Sequence, residues 1–447
     1  MGGGGDGVVK RLIATAAAML LILSSPVSAA RDGAAGLPSR VTLEQVLQLL
    51  EERSPRTAAE RATIDVVAAD RITANAFPNP SLSWGGSRLV SGLSTGAVTQ
   101  HQFVVDQPLP LFGQRRARVD LANLNVSAEK ARVDAELAGR RLDVREAFAS
   151  LVARQEELRI LKDSYADLQR IERVVRGRAE SGESSRYDVL RIETEGRSLE
   201  VEVMNAATGV EDASGRLAAL LGFPGWTPEA VGTLAPANVP TEIEDLWSTA
   251  QHRLPGIVAL RERQGAAQGG LALARRERVP IPELSGGALT TREVTGTSAF
   301  VGLSLPLPLF DRNRGAIVRA TAEIDAASLE MNAEVAEARA EIERTRTTLV
   351  SHRRTLAMLE DEVVQKLPDL RRMAEDAYRE GRGGILDLLD ASRSLKELQL
   401  LHVRQLEMTK LAEEAVISAA GLDAAQLSQP SQPPRPLQPP LQPQLQQ

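Results

Sequence analysis

Apolar positions fall into a seven-residue rhythm over two long stretches of the chain. In the later stretch Val335, Ile342, Leu349, Leu356, Val363, Leu370 and Ala377 recur, joined by Ala338, Leu359 and Met373. In the earlier one Val144, Leu151, Leu158 and Tyr165 recur, joined by Ala147, Leu161, Leu168 and Val175. A repeat of seven keeps an apolar seam on one side of a slightly underwound helix, so both stretches predict long helices packed as coiled coils. From Gly113 to Ala179 such a helix extends about 100 Å at 1.5 Å per residue. A shorter helix is expected ahead of each, from Thr42 to Ala76 and from Glu242 to Arg278, stopped by prolines that bar αR geometry before them. Between the two helices the period changes. Ser81–Val90 with Thr99–Gln107, and Glu283–Arg292 with Thr297–Leu305, read as strand pairs, with Leu82/Trp84 and Ala299/Val301/Leu303/Leu305 alternating as half-buried strands do.

The two stretches are copies of one unit. Pro108-Leu109-Pro110-Leu111-Phe112-Gly113 recurs as Pro306-Leu307-Pro308-Leu309-Phe310-Asp311, and the segment from Gly182 to Leu190 recurs from Gly381 to Leu389. Phe77-Pro78-Asn79-Pro80 corresponds to Val279-Pro280-Ile281-Pro282. Three anchors in one order at nearly one spacing mark an internal duplication. The expected organisation is a leader over 1–29, repeat one over 30–239, repeat two over 240–425 and a tail over 426–447. The leader rests on Lys10 and Arg11, the apolar run Leu12–Leu23 and the small residues Val27, Ser28, Ala29 and Ala30, the pattern of a secretory signal peptide cut after Ala29 or Ala30. The tail is rich in Pro and Gln with almost no charge, a composition that cannot form a packed core.

Composition narrows the chemistry. With no cysteine there are no disulfides, thiolate metal sites, cysteine nucleophile or lipid-anchoring cysteine. A net charge of -6 with few aromatics gives no basic, aromatic-studded surface for nucleic acid. His101, His252, His352 and His402 are scattered without metal-ligand spacing, and no nucleophile elbow, phosphate loop or paired catalytic motif is present. The expectation is a protein without enzyme activity, cofactor or bound metal.

Export without a long apolar run has a structural consequence. The leader core is shorter than the roughly 20 residues a spanning helix needs, and no later run reaches that length. A membrane span must therefore be built from strands. Four strands cannot close a barrel, and each open edge in lipid leaves unpaired backbone groups. The chain must oligomerise, two copies giving eight strands and three giving twelve.

The duplication, the proline-flanked PLPLF segments and the Gly-x5-Asp turns followed by returning helices resemble the TolC family of outer-membrane factors over about residues 40 to 422. Leu305–Gly315 (LPLPLFDRNRG) looks most like its heavy-metal, CzcC-like branch. The resemblance implies a mainly α protein with a small β part: a long coiled-coil α-helical barrel with a short transmembrane β-barrel completed by trimerisation. It implies a passive exit duct in the outer membrane of a Gram-negative bacterium, extending into the periplasm. Its partners would be two further copies of the chain, outer-membrane lipid, a periplasmic adaptor and an inner-membrane pump of the resistance-nodulation-division type. Heavy-metal cations are the implied cargo; drug efflux or type I secretion by the same channel, a periplasmic coiled-coil adaptor and a structural coiled coil are the alternatives. By position in the motif, Asp387 and Asp390 would line the pore constriction, and Tyr378 and Asp188 would hold the tip closed. The family arginine expected two residues after the second glycine is Gly383 here, which leaves Arg382 or Arg186 to replace it. Gly182, Gly381, Gly383 and Gly384 would belong to adaptor-docking loops. Pro368, where the first repeat has Gln169, is expected to kink the second long helix.

Overall fold

The computed structural model describes residues 36–92, 99–182, 184–291, 296–362 and 366–422. The expected signal peptide, the Pro/Gln tail and most of both loops that connect the paired strands lie outside these residues.

The two halves of the chain follow one order of elements, except that two successive helices stand in the second where the first has a single long one. The first half contains β1 (Arg40–Val41), α1 (Leu43–Glu52), α2 (Pro55–Asn75), β2 (Ser81–Arg88), β3 (Thr99–Pro108), α3 (Gln114–Glu180) and α4 (Arg186–Leu221). The second contains β4 (Glu229–Ala230), α5 (Ile243–Arg253), α6 (Pro255–Glu277), β5 (Glu283–Thr291), β6 (Gly296–Ser304), α7 (Arg314–Glu362), α8 (Leu367–Arg379) and α9 (Ile385–Ala419). With 67 residues, α3 is about 100 Å long.

One expectation about the helices needs correction. The helix expected as one piece before each strand pair is two, divided at Ser54-Pro55 and Leu254-Pro255. Ser54 (φ −67°, ψ 123°) and Leu254 (φ −62°, ψ 118°) are extended because the following proline ring excludes αR. Pro55 and Pro255 then open α2 and α6, where a missing N–H costs nothing. Pro368 likewise opens a helix. It stands in the first turn of α8, where a missing N–H is tolerated, and the segment 363–365 between α7 and α8, on which the expected kink bears, lies outside the described residues.

The apolar seams bury Val144, Leu151, Leu161, Leu168 and Val175 in α3, and Ile342, Leu349, Leu356 and Leu359 in α7. Beyond α7 the seven-residue phase fails. Leu370 and Met373 are exposed on α8, while Tyr378 is buried.

Each repeat carries its own core at mid-height. Val41, Leu50, Val144, Leu151, Leu217, Leu221 and Trp226 form the first, and Val239, Leu246, Trp247, Ile342, Leu349 and Val416 the second. The helices α4 and α9 stop the same way. Gly222 (φ 81°) and Gly421 (φ 61°) take the left-handed conformation, and Phe223 and Leu422 donate back to Ala218 O and Ile417 O at 2.9 Å, a Schellman closure. A short parallel pairing of β1 with β4, which the hydropathy pattern does not reveal, ties the start of the described chain to the inter-repeat segment. Trp226 Nε1 reinforces it by donating to Pro38 O at 3.0 Å.

The remaining strands form one antiparallel sheet in the order β2-β3-β5-β6. The β3–β5 pairing joins the two repeats, and β2 and β6 are left as edges. None of the described helices is long and apolar enough to cross a membrane.

Candidate functional site

Directly opposed residues of antiparallel strands share a face of the sheet. The register therefore sorts the sheet chemically. On one face Leu82, Val105, Gly286 and Val301 form a row, Trp84, Phe103, Ala288 and Ala299 the next, and Leu284 pairs with Leu303. The other face carries Ser81, Asp106 and Ser285 in one row and Ser87, Gln100 and Thr291 in another, with Ser83, Val104, Gly287 and Phe300 as a mostly apolar row between them. Leu82, Trp84, Val301 and Leu303 are exposed in the single chain, with His101 stacked on Trp84 at 5.9 Å between ring centroids. The more apolar face, with the Leu82 and Trp84 rows, suits hydrocarbon, and the mixed face with Asp106, Gln100 and the serines suits a water-filled lumen.

At the far end of the long helices the two hairpin turns close on glycine. Gly182 (φ 83°) and Gly381 (φ 69°) adopt the left-handed conformation that follows a helix C-terminus. After α8, Gly381 N donates to Tyr378 O at 3.1 Å, and Arg382 N and Gly383 N both donate to Ala377 O, at 2.9 and 3.0 Å. Gly383 is tight: a Cβ there would lie 3.4 Å from the Ala377 Cβ. The next helix starts at Gly384, whose N–H donates to Asp387 Oδ2 at 2.9 Å. Asp387 is thus a helix-start carboxylate, held where the α9 dipole favours negative charge. Asp390 lies one turn on, 4.0 Å from Arg393, and both aspartates are exposed on the side of α9 opposite buried Ile385, Leu388 and Leu389.

The sequence-expected closure residues are not brought together in the single chain. Asp188 accepts from Ser184 Oγ at 2.9 Å and from Ser185 N at 3.0 Å, and its own N–H donates to Ser185 Oγ, completing a capping box for α4. Burial pushes this carboxyl up, but the Ser185 N–H and the two serine hydroxyls outweigh it and hold it below the ordinary value. Arg382 pairs with Glu380 beside it, and Arg186 is exposed at the first position of α4. Tyr378 instead meets Arg178 of α3. The Arg178 guanidinium lies 5.0 Å from the Tyr378 ring centroid and donates to Tyr378 O at 3.2 Å and Arg379 O at 3.0 Å, the last carbonyls of α8. Nothing in the periodicity marks Arg178, because its role depends on how α3 lies against α8.

Charged pairs hold the hairpins together above the tip. Arg393 of α9 binds Glu195 of α4 at 2.7 and 3.4 Å, and Lys396 binds Glu202 at 2.8 and 3.0 Å. At mid-height Glu413, fully buried, binds Arg353 of α7 at 3.1 Å and accepts from Ala237 N at 3.0 and 2.9 Å. A signal for this site was available: Glu413 and Glu414 interrupt an apolar face of Ala412, Val416 and Ile417, and buried carboxylates demand a buried partner. His352 meets Gln405 and His402 meets Glu360; among the described residues no group of three or more His, Asp or Glu could hold a metal.

The outer membrane efflux protein family matches the chain in two segments, residues 46–223 and 246–422. The cobalt-zinc-cadmium resistance protein CzcC of Cupriavidus metallidurans is 26% identical over 393 residues, covering 84% of this chain and 89% of that protein. The nickel-cobalt-cadmium resistance protein NccC of Alcaligenes xylosoxydans is 24% identical, covering 69% of each. Among solved structures, CusC shares the fold with a TM-score of 0.69 at 16% identity, over 85% of this chain and 92% of that one. The outer membrane protein VceC of Vibrio cholerae does so with a TM-score of 0.65 at 19% identity, over 85% and 96%.

Proposed function

The chain belongs to the outer membrane efflux protein family, and from that premise we propose that it is the passive exit duct for heavy-metal cations, assembled as a homotrimer and served by a periplasmic adaptor and an inner-membrane pump. Channel and location follow from the family: it is an efflux channel of the outer membrane that extends into the periplasm. The observation that carries the oligomer is the four-stranded sheet, more apolar on one face than on the other, with β2 and β6 as edges. Three copies complete a twelve-stranded barrel without an edge, as lipid requires. The cation cargo rests on the relatives, which are named for resistance to cobalt, zinc, cadmium and nickel. In this reading the pump supplies the energy, and the chain performs no chemistry on its cargo.

Deleting the gene in its host tests the cargo. Growth at cobalt, zinc, cadmium or nickel concentrations that the parent tolerates is expected to fail, with tolerance of hydrophobic drugs unchanged. The reverse pattern would assign the channel to organic cargo.

Within this reading the tips face the adaptor through Gly182, Gly381, Gly383 and Gly384, and Tyr378, Asp188, Arg382 and Arg186 control closure. Asp387 and Asp390, exposed together on one face of α9, become two stacked carboxylate rings around the threefold axis. Rings of like charge in a narrow pore attract cations and exclude anions. Asp387→Asn with Asp390→Asn is expected to lower the cation-over-anion preference severalfold in planar bilayers, with trimer assembly intact. An unchanged preference would remove both residues from the constriction.

A further inference from the structure

The segments that lead into and out of the four-stranded sheet carry a positive excess in an acidic chain. The first repeat enters and leaves the sheet through 70–80 and 109–120, which hold Arg71, Arg115, Arg116 and Arg118. The second does so through 271–282 and 305–319, which hold Arg275, Arg276, Arg278, Arg312, Arg314 and Arg319. Against these ten arginines stand four carboxylates, Asp70, Asp120, Glu277 and Asp311, in a protein whose net charge is -6. All four segments lie at one end of the sheet, because each strand pair is a hairpin that is connected at the other end.

The excess is not neutralised from within. Lower on α3, Arg132, Arg140, Arg141, Arg145, Arg154 and Arg159 each hold a carboxylate. Near the sheet only Arg116 and Arg319 do so among the described residues, through exposed pairs on their own helices with Asp120 at 3.9 Å and Glu323 at 2.9 Å. Arg115 donates to Asn75 and lies over the Phe77 ring, 4.6 Å from its centroid, and Arg312 donates to Pro308 O at 3.3 Å. Arg71, Arg118, Arg275, Arg276, Arg278 and Arg314 have no carboxylate partner among the described residues. Arg71 Nε and Arg118 Nε and Nη2 are even buried without an acceptor, a loss of hydration that an outside anion beside the rest of the guanidinium offsets.

The height of these charges matches the polar layer of a bilayer. Arg115, Arg116 and Arg118 lie in the opening of α3, and Arg275 and Arg276 in the last turn of α6, with Arg278 next to it. At 1.5 Å per residue they fall within about 7 Å of the helix ends that face the sheet. The headgroup layer on one side of a bilayer is about 5 to 7 Å thick.

We infer, resting on the outer-membrane channel reading above, that these arginines form a collar that binds the phosphates of phospholipid headgroups in the periplasmic leaflet and prefers anionic lipid. All ten basic residues are arginine and none is lysine, and the guanidinium fork matches two phosphate oxygens at once. Turned into the lumen, the same charges would repel the cation cargo. On the outer surface they hold the sheet at a fixed depth, with its apolar face level with the hydrocarbon.

Trp84 supplies the readout. It is 62% exposed on the more apolar face of the sheet, whereas Trp226 and Trp247 are buried, so a brominated lipid lying against the sheet quenches Trp84. The full-length protein is reconstituted into phosphatidylcholine vesicles that contain an equal fraction of brominated phosphatidylglycerol or brominated phosphatidylcholine. Phosphatidylglycerol is expected to bind at least about fivefold more tightly, the worth of one basic residue at an anionic surface, with the ratio falling as salt is raised. Arg275→Gln, Arg276→Gln and Arg278→Gln together should bring the ratio towards one, and lysine at the same three positions should keep most of it. Equal quenching by the two lipids in the parent overturns the collar alone, as does a ratio that the glutamine variant leaves undiminished. Equal quenching together with a stronger cation preference of the glutamine variant in planar bilayers places the arginines in the lumen instead. Quenching of Trp84 by neither lipid overturns the placement of the sheet in the membrane, and the collar with it.

Discussion

Replacing Glu413 by alanine is expected to destabilise the folded protein by about 3–5 kcal/mol, the cost of breaking a buried ion pair from one side. The carboxylate is fully buried, binds Arg353 at 3.1 Å and accepts from Ala237 N at both oxygens. Arg353 spends its remaining donors on Val239 O at 3.1 Å and Ala237 O at 2.7 Å. One glutamate and one arginine thus fix the strand of chain that leads from the first repeat into the second against α7 and α9. Alanine leaves the guanidinium without its counter-charge and the Ala237 N–H without its acceptor. Glu413→Gln keeps an acceptor but not the charge, so its melting temperature in detergent should fall between those of the parent and Glu413→Ala. Equal melting temperatures for all three would show that the link contributes nothing to stability.

Two adjacent glycines of β5 predict opposite results. At Gly287 an added Cβ would run into the Phe103 carbonyl oxygen of the neighbouring strand and into the Phe300 ring. The oxygen belongs to the backbone of the strand that joins the two repeats, so it cannot swing aside as a side chain would. Gly287→Val is expected to exceed the usual overpacking cost of about 1–3 kcal/mol and to remove the protein from the outer membrane. At Gly286 a Cβ meets nothing within 4 Å, and the position lies on the apolar face between Val105 and Val301. Gly286→Val should therefore accumulate at the parental level, since valine suits both strand geometry and a lipid-facing surface. Immunoblots of outer-membrane fractions separate the two outcomes, and equal levels of both variants would refute the assigned faces of β5.

The sequence by itself determined the elements that depend on neighbours close along the chain. The seven-residue apolar repeat located the long helices, the prolines after Ala76 and Val279 stopped the preceding helices, and alternation located all four long strands to within a few residues. The local rule for residues before proline also held the division at Pro55 and Pro255, but the apolar pattern running through both sites masked it.

Only the tertiary structure decided what meets across the chain. The order β2-β3-β5-β6, the sharing of apolar and polar faces, the Arg178 contact with the end of α8 and the capture of Glu413 by Arg353 join residues far apart in sequence. A periodicity says which side of a helix or strand is apolar, not which partner covers it or in what register. That choice is made by the packing of whole elements: once α3 lies along α8, Arg178 reaches the last α8 carbonyls, and Asp188, two residues into α4, closes its own helix start instead.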